Sequence, residues 1–378
     1  MSALVEELAD IELGDARLNR RARRVLQRLG EKPTVSIPSA CGGWSETRAA
    51  YRLFDHAKVT AEKVLAPHTA RTVERLREHP RVLCLQDTTE ADYTGKTDIQ
   101  GTGPLNYETR RGLYLHPTLA VTPDRLCLGL LDVYSWAREP GSLGQHKDPA
   151  RPLEEKESAR WVDSYQRVNE LAEQLTDTRL TYVADRKADI YDLFVEAPCP
   201  ESAADWLVRG QHDRALADSN TLRQCLAETL VLAEMGFDQP GGNGRTARTV
   251  HQQLKTGRVT LKAPYRRDRV LPDVEVTAIL ATEPHPPAGE EPVEWLLLTN
   301  LPVDTPEQAI EKLQWYLCRW QIGVSGKGHL IQSVQVRPRP RDSSLVAWEA
   351  PWRESKTEKP SDHVLKLEYS NVPGCNVQ

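Results

Sequence analysis

The sequence lacks the usual marks of export, of membrane insertion and of bulk basicity. No run of about 18 apolar residues occurs among its 378 positions, so no stretch reads as a membrane-spanning helix. The opening Met1-Ser2-Ala3-Leu4-Val5-Glu6-Glu7 has neither the basic nor the apolar region of a secretion signal. The seven cysteines (Cys41, Cys84, Cys127, Cys199, Cys225, Cys318, Cys375) form no C-x-x-C pair, which argues against structural zinc and fits a reducing, cytoplasmic setting. Lys and Arg number 49 against 54 Asp and Glu, a net charge of −5, so bulk charge does not announce a polyanionic partner.

The local distribution of charge does. Arg17, Arg20, Arg21, Arg24 and Arg28 follow helical spacing on one face, while Leu18, Ala22, Val25 and Leu29 share another, and Asp15 stands where a helix cap is expected. A basic helix face is often merely solvated. The absence of any acid between positions 16 and 30 tilts this one toward phosphate contact.

Along the chain, residues 1–75 read as a small helical unit, with helix starts expected at Ser45 and Thr60. Strands are expected at Val82–Gln86, Leu113–Val121 and Leu126–Trp136, the last two separated by a turn at Pro123-Asp124. A helix from about Leu153 to Leu175, a strand at Thr181–Ala184, a helix near Ala188–Glu196 and a strand at Trp206–Arg209 follow. Three strands, helix, strand, helix, strand is the order that an α/β fold of the ribonuclease-H type requires, a mixed sheet with flanking helices. Residues 211–300 read as a β-rich insertion around the turn-forming Pro240–Arg245, with strands at Arg258–Lys262, Val274–Ala281 and Trp295–Thr299. A helix from Thr305 to Gln321 then closes a core spanning 76–322, and residues 323–378 read as an irregular tail.

Two aspartates follow apolar strands: Asp87 in Gln86-Asp87-Thr88-Thr89, and Asp185 in Asp185-Arg186-Lys187-Ala188-Asp189. Carboxylates at the ends of central strands are fixed oxygen ligands, and two together make half of a Mg²⁺ site. As a rule, however, an Asp after a strand is a turn or cap residue, and spacing does not choose between these readings.

Several stretches, in order, resemble the insertion-sequence-four (Tn-five-like) family of bacterial DDE transposases. They are Leu13-Gly14-Asp15-Ala16-Arg17, Ala50-Tyr51-Arg52-Leu53-Phe54, Gln86-Asp87-Thr88-Thr89, Gly112-Leu113-Tyr114-Leu115-His116, Glu155-Lys156-Glu157-Ser158, Asp185 to Ile190, and Trp295 to Thr299. The resemblance spans residues 1–322. It implies cut-and-paste transposition: metal-dependent nicking and strand transfer at transposon ends, with Asp87 and Asp185 holding Mg²⁺ (or Mn²⁺). The implied partners are double-stranded DNA, both the terminal inverted repeats and the target, in a nucleoid-associated, cytoplasmic protein. Arg209 matches a phosphate-contacting residue, Trp295 an aromatic that stacks on a flipped base, and Tyr316 and Arg319 the first two members of the family's Tyr-x-x-Arg-x-x-x-Glu-x-x-x-x-x-x-Lys signature.

The signature then fails. Its glutamate falls on Gly323 and its lysine on Leu330, and the tail does not resemble the region through which the family forms its homodimer on DNA. The expectations are therefore an impaired transposase, monomeric without DNA, or, in a different class, a transposase-derived DNA-binding protein that cuts nothing. A stand-alone ribonuclease-H-like nuclease is disfavoured by the arginine helix and the β insertion.

Overall fold

The computed structural model describes residues 6–32, 35–96, 99–141, 153, 156–197, 203–239, 246–267 and 269–322. Pro240–Arg245, Glu155 and everything from Gly323 onward, on which several of the expectations above fall, lie outside the described residues. The fold is mixed α/β, and the chain divides into two compact units. Of the described residues, 6–141 and 319–322 fall in one unit and 153–318 in the other.

The first unit opens with helices α1 (Ala16–Glu31), α2 (Ile37–Cys41), α3 (Trp44–Phe54) and α4 (Ala61–Leu76). Asp15 caps α1 as expected, accepting from the Arg17 and Leu18 amides at 2.7 and 3.4 Å. Those bonds hold its carboxyl below the usual range. Thr60 caps α4 through the Lys63 amide at 3.3 Å. Helix α3 starts one residue before Ser45, because Gly42, at φ +70°, ends α2 in the left-handed region and Gly43 turns the chain directly into Trp44. Leu18, Ala22, Val25, Leu26 and Leu29 of α1 are buried against Ala50, Leu53, Phe54 and Val64 and against Leu8, Ile11 and Leu13 of the lead-in segment. Each fully buried Leu or Val there contributes about 1.5–3 kcal/mol before entropy is counted.

The same unit holds an antiparallel sheet of β1 (Arg81–Gln86), β2 (Thr89–Asp92), β3 (Gly103–Pro104), β4 (Arg111–Val121) and β5 (Cys127–Trp136). Strand β4 is its centre: β5 lies along one edge, while β1 and β2 lie end to end along the other, pairing Gln86 with Thr118 and Thr89 with Leu115. Helix α4 lies on β5. His68 Nε2 accepts the Leu130 amide at 2.9 Å and Arg75 Nε donates to the Leu128 carbonyl at 2.6 Å. This approach needs a glycine between those two leucines, since a Cβ on Gly129 would meet Thr72 Oγ1 at 2.2 Å and its φ is +135°.

In the second unit, turn-type bonds from the Lys156 and Ala159 amides lead into α5, so the regular helix, Ala159–Glu173, starts later than its sequence pattern does. Then come β6 (Arg179–Ala184), a 3₁₀ turn at Arg186–Ala188, α6 (Tyr191–Glu196), β7 (Asp205–Arg209) and α7 (Leu222–Glu228). The rest of the unit is β8 (Val231–Gln239), β9 (Arg248–Leu261), β10 (Val274–Thr282), β11 (Glu294–Thr299) and α8 (Pro306–Cys318). Its sheet runs β6-β7-β11-β10-β9-β8, with only the β6–β7 pair parallel. The expected order of strands and helices is present, and the β-rich insertion is a meander added to β11, larger than expected by β8 and the first half of β9. Trp206, buried on β7, stacks on Phe194 at 4.8 Å and donates its indole N–H to the Ala197 carbonyl at 3.0 Å.

Candidate functional site

Folding sorts the arginines of α1. Arg17, Arg20, Arg21 and Arg24 are exposed, on the side away from the buried leucines. Arg28 is half-buried and tied down, donating to the Cys41 carbonyl and to Glu46, so it fastens α1 to α2 and α3. Arg24 stands 3.9 Å from the same Glu46. The sequence reading passed over Arg23 on α1 and over Arg48 and Arg52 on α3, all exposed. The four-residue spacing of the last two was the available signal. Trp44, at the first position of α3, is 76% exposed.

Asp87 occupies the corner between β1 and β2. Its neighbours are sewn to β4: Thr118 donates to Gln86 Oε1 at 2.9 Å in the buried interior, and Thr88 Oγ1 lies 2.9 Å from His116 Nδ1. His116, part of a stretch quoted only for its resemblance, therefore positions the residue beside the aspartate. The Asp87 side chain is 32% exposed and already engaged, since Oδ1 accepts the Thr88 amide at 2.8 Å and Oδ2 accepts Arg319 Nη1 at 2.6 Å. Arg319 comes from the turn that breaks the helix after Cys318, where the Ile322 amide bonds back to the Arg319 carbonyl at 3.1 Å. Two residues singled out separately, one for metal and one for phosphate, are thus brought together as an ion pair.

Asp185, on the second unit, ends β6 half-buried and caps the 3₁₀ turn, accepting the Lys187 amide at 2.8 Å. Burial, with the Asp185 charge added, pushes the Tyr182 hydroxyl well above its ordinary range. Asp189, four residues on, is structural. Its carboxylate is fully buried, with one oxygen accepting the Gln211 and His212 amides at 2.6 and 2.9 Å and the other accepting Arg214 Nε at 2.9 Å. Among the described residues no three His, Cys, Asp or Glu side chains are grouped to hold a metal.

The remaining candidates lie on the second unit. Arg209, half-exposed, closes β7, with Nη2 3.4 Å from the Glu294 carbonyl on β11. Trp295 is buried, stacked on Phe237 of β8 at 5.0 Å and set edge-on to Tyr316 at 5.4 Å. Tyr316 is itself buried on α8. A base could reach the Trp295 ring only by displacing one of these neighbours.

The arrangement in the first unit, a capped helix buried on its leucine face and presenting guanidinium groups outward, suits a polyanion surface. Residues 1–59, which contain it, match the family model described as transposase DNA-binding. Among solved structures, the chain is similar over 86% of its length to a cryo-EM structure of the piggyBac transposase synaptic complex with hairpin DNA, at 10% sequence identity and a TM-score of 0.35. It spans 57% of that chain's length.

Proposed function

We propose that this chain is a DNA transposase by descent, of the DDE type with a ribonuclease-H-like core, in which the arginine face of α1 grips duplex DNA and Asp87 and Asp185 are the metal-holding carboxylates. The observation that carries the reading is the coincidence of an exposed arginine face, on a helix without acids between positions 16 and 30, with a segment matching the transposase DNA-binding model. The full chain should bind a mixed-sequence duplex, and the double variant Arg20→Ala/Arg24→Ala should weaken binding and flatten its salt dependence by about two units of slope, near 0.9 for each phosphate no longer neutralised. An unchanged slope would show that the face is only solvated.

The donor chemistry fits a divalent ion. Both aspartates offer hard carboxylate oxygens at strand ends, and Asp87 already carries a guanidinium cation. Bound Mg²⁺ or Mn²⁺ would supply charge stabilisation for the attacking and leaving oxygens of an in-line displacement at phosphorus. The chain's own part is to hold those oxygens in place: Thr88, set by His116, fixes the Asp87 corner, and the Lys187 amide fixes Asp185. If the two aspartates share one site, Mn²⁺ binding followed by electron paramagnetic resonance falls in both Asp87→Ala and Asp185→Ala. A fall in only one of them rejects a shared site.

The second reading, a DNA-binding protein without cleavage, is favoured by Gly323 at the position of the family glutamate. Glycine offers no ligand and lowers helix stability by about 1 kcal/mol relative to Ala. Gly326 and Gly328 follow closely, so Gly323→Glu would place a carboxylate on weakly helical sequence. Neither the parent nor Gly323→Glu should nick duplex DNA with Mg²⁺ or Mn²⁺. Metal-dependent nicking that Asp87→Ala abolishes would establish a working site and overturn the impairment.

A further inference from the structure

A second basic surface lies far along the chain from the arginine helix, between the stretches that carry the resemblance. The link between β9 and β10, Lys262 to Asp273, carries Lys262, Arg266, Arg267 and Arg269. It also exposes two large side chains almost completely, Tyr265 at 87% and Val270 at 99%. Single exposed hydrophobics are ordinary. Their placement here, interleaved with cations on a tethered strap, is not.

The strap is anchored at both ends and in its middle. The Tyr191 hydroxyl lies 3.1 Å from the Leu261 carbonyl and 2.9 Å from the Pro272 carbonyl, donating to one at a time. The Ala263 amide donates to Asp273 at 2.7 Å. Between them, Arg266, at 3.4 Å, and Arg269 grip opposite oxygens of the Asp192 carboxylate, which is buried on α6. Asp192 is thus turned inward and spent on anchoring, while the exposed Asp273 is engaged by the Ala263 amide. Arg267 is exposed and forms no ion pair among the described residues. Tyr265 and Arg267 stand outward between these anchors, so little ordering entropy is lost when they make a contact.

We propose that the Lys262–Asp273 strap is a second DNA-contacting element, with Arg267 on a backbone phosphate of duplex DNA and Tyr265 lying against the adjacent sugar and base edge. Its ligand is the polyanionic duplex rather than a protein: the segment carries four cations, Lys262, Arg266, Arg267 and Arg269, against two acids, Asp268 and Asp273, and an aromatic face among guanidinium groups is suited to nucleic acid. The proposal rests on the DNA-binding function argued above.

The test uses the full chain and a long mixed-sequence duplex, with binding measured across a salt series. Arg267→Ala should weaken binding and reduce the salt slope by about one unit. Tyr265→Ala should weaken it roughly fivefold and leave the slope unchanged, since the variant keeps every charge. Neither side chain is part of the anchoring, so both variants should melt with the parent. Arg20→Ala/Arg24→Ala is run alongside. If that variant is weakened while both strap variants bind like the parent, the strap is no DNA contact and the proposal falls alone. If the parent does not bind duplex DNA at all, the function itself fails. Self-association that Tyr265→Ala abolishes, with DNA affinity untouched, would assign the strap to a second copy of the chain and overturn the proposal.

Discussion

Arginines do opposite jobs in two regions of this molecule. On α1, Arg17, Arg20 and Arg21 stand in solvent. In the second unit, Arg214 and Arg248 are largely buried and hold Asp189 and Glu283, whose carboxylates are buried too. The first set costs nothing to keep charged and is available to a polyanion. The second compensates acids that could not otherwise be buried. What separates an available arginine from a structural one is therefore not its charge but whether an acid lies within reach and out of water.

The largest expected effect sharpens that contrast. Asp189→Ala strips the acceptor from two amides and leaves Arg214 as an uncompensated buried cation. Removing one partner of such a pair costs about 3–5 kcal/mol. Urea unfolding should show that drop, while DNA affinity measured well below the melting temperature stays at the parent value. A stable Asp189→Ala protein that no longer binds DNA would move Asp189 out of the structural class.

The next effect is smaller and separates residues within one helix. Arg28→Ala should lower stability by about 1–2 kcal/mol, because it removes bonds to the Cys41 carbonyl and to Glu46. Arg20→Ala should leave stability within about 0.5 kcal/mol and act only on DNA affinity. The two variants thus exchange effects between a melting experiment and a binding experiment. Equal behaviour in both would mean that the Arg28 bonds do not persist in solution.

How much of this was legible in the sequence depended on how far apart the interacting residues lie. Strand β1 was readable because Val82 to Leu85 is an unbroken apolar run and all of it is buried. Helix α1 was readable because its leucine period and its acid cap are local. Strand β8 was not, because it alternates exposed Glu234, Gly236 and Asp238 with half-covered neighbours, leaving too weak an apolar pattern to see. Helix α7 is only seven residues long, and its marker is a capping box between Thr221 and Gln224 that reads as loop unless it is sought. At the site, resemblance pointed to Asp87 and Arg319 separately, yet their ion pair joins positions 232 apart, beyond any local rule. Trp295 was expected to face a base. Its cover comes from Phe237, on the strand that went unseen.

The smallest expected effect is a pH dependence in the first unit, where an acid and its bases are neither fully buried nor fully open. Glu7, in the lead-in segment, bonds His68 Nδ1 at 2.8 Å and also pairs with Arg75, both on α4. Burial alone would raise its carboxyl. The hydrogen bonds of His68 and Arg75, with the Arg75 charge added, together outweigh that and hold it below its ordinary value. A carboxyl depressed in the folded state stabilises fully above its unfolded value, near 4.3, and loses that contribution as pH falls through the folded value. The pair is partly solvated, so the contribution should stay under about 1 kcal/mol. The measurement is the gap in urea midpoint between the parent and Glu7→Gln, a difference in which acid effects elsewhere in the chain cancel. The gap should be present at about pH 7 and shrink as pH falls below about 4. It should also narrow in high salt, because screening acts on partly exposed pairs. A gap that persists unchanged in acid would mean that Gln fails for reasons of shape, and that Leu8, Ile11 and Leu13, rather than the charge beside them, fasten the lead-in segment to the helices.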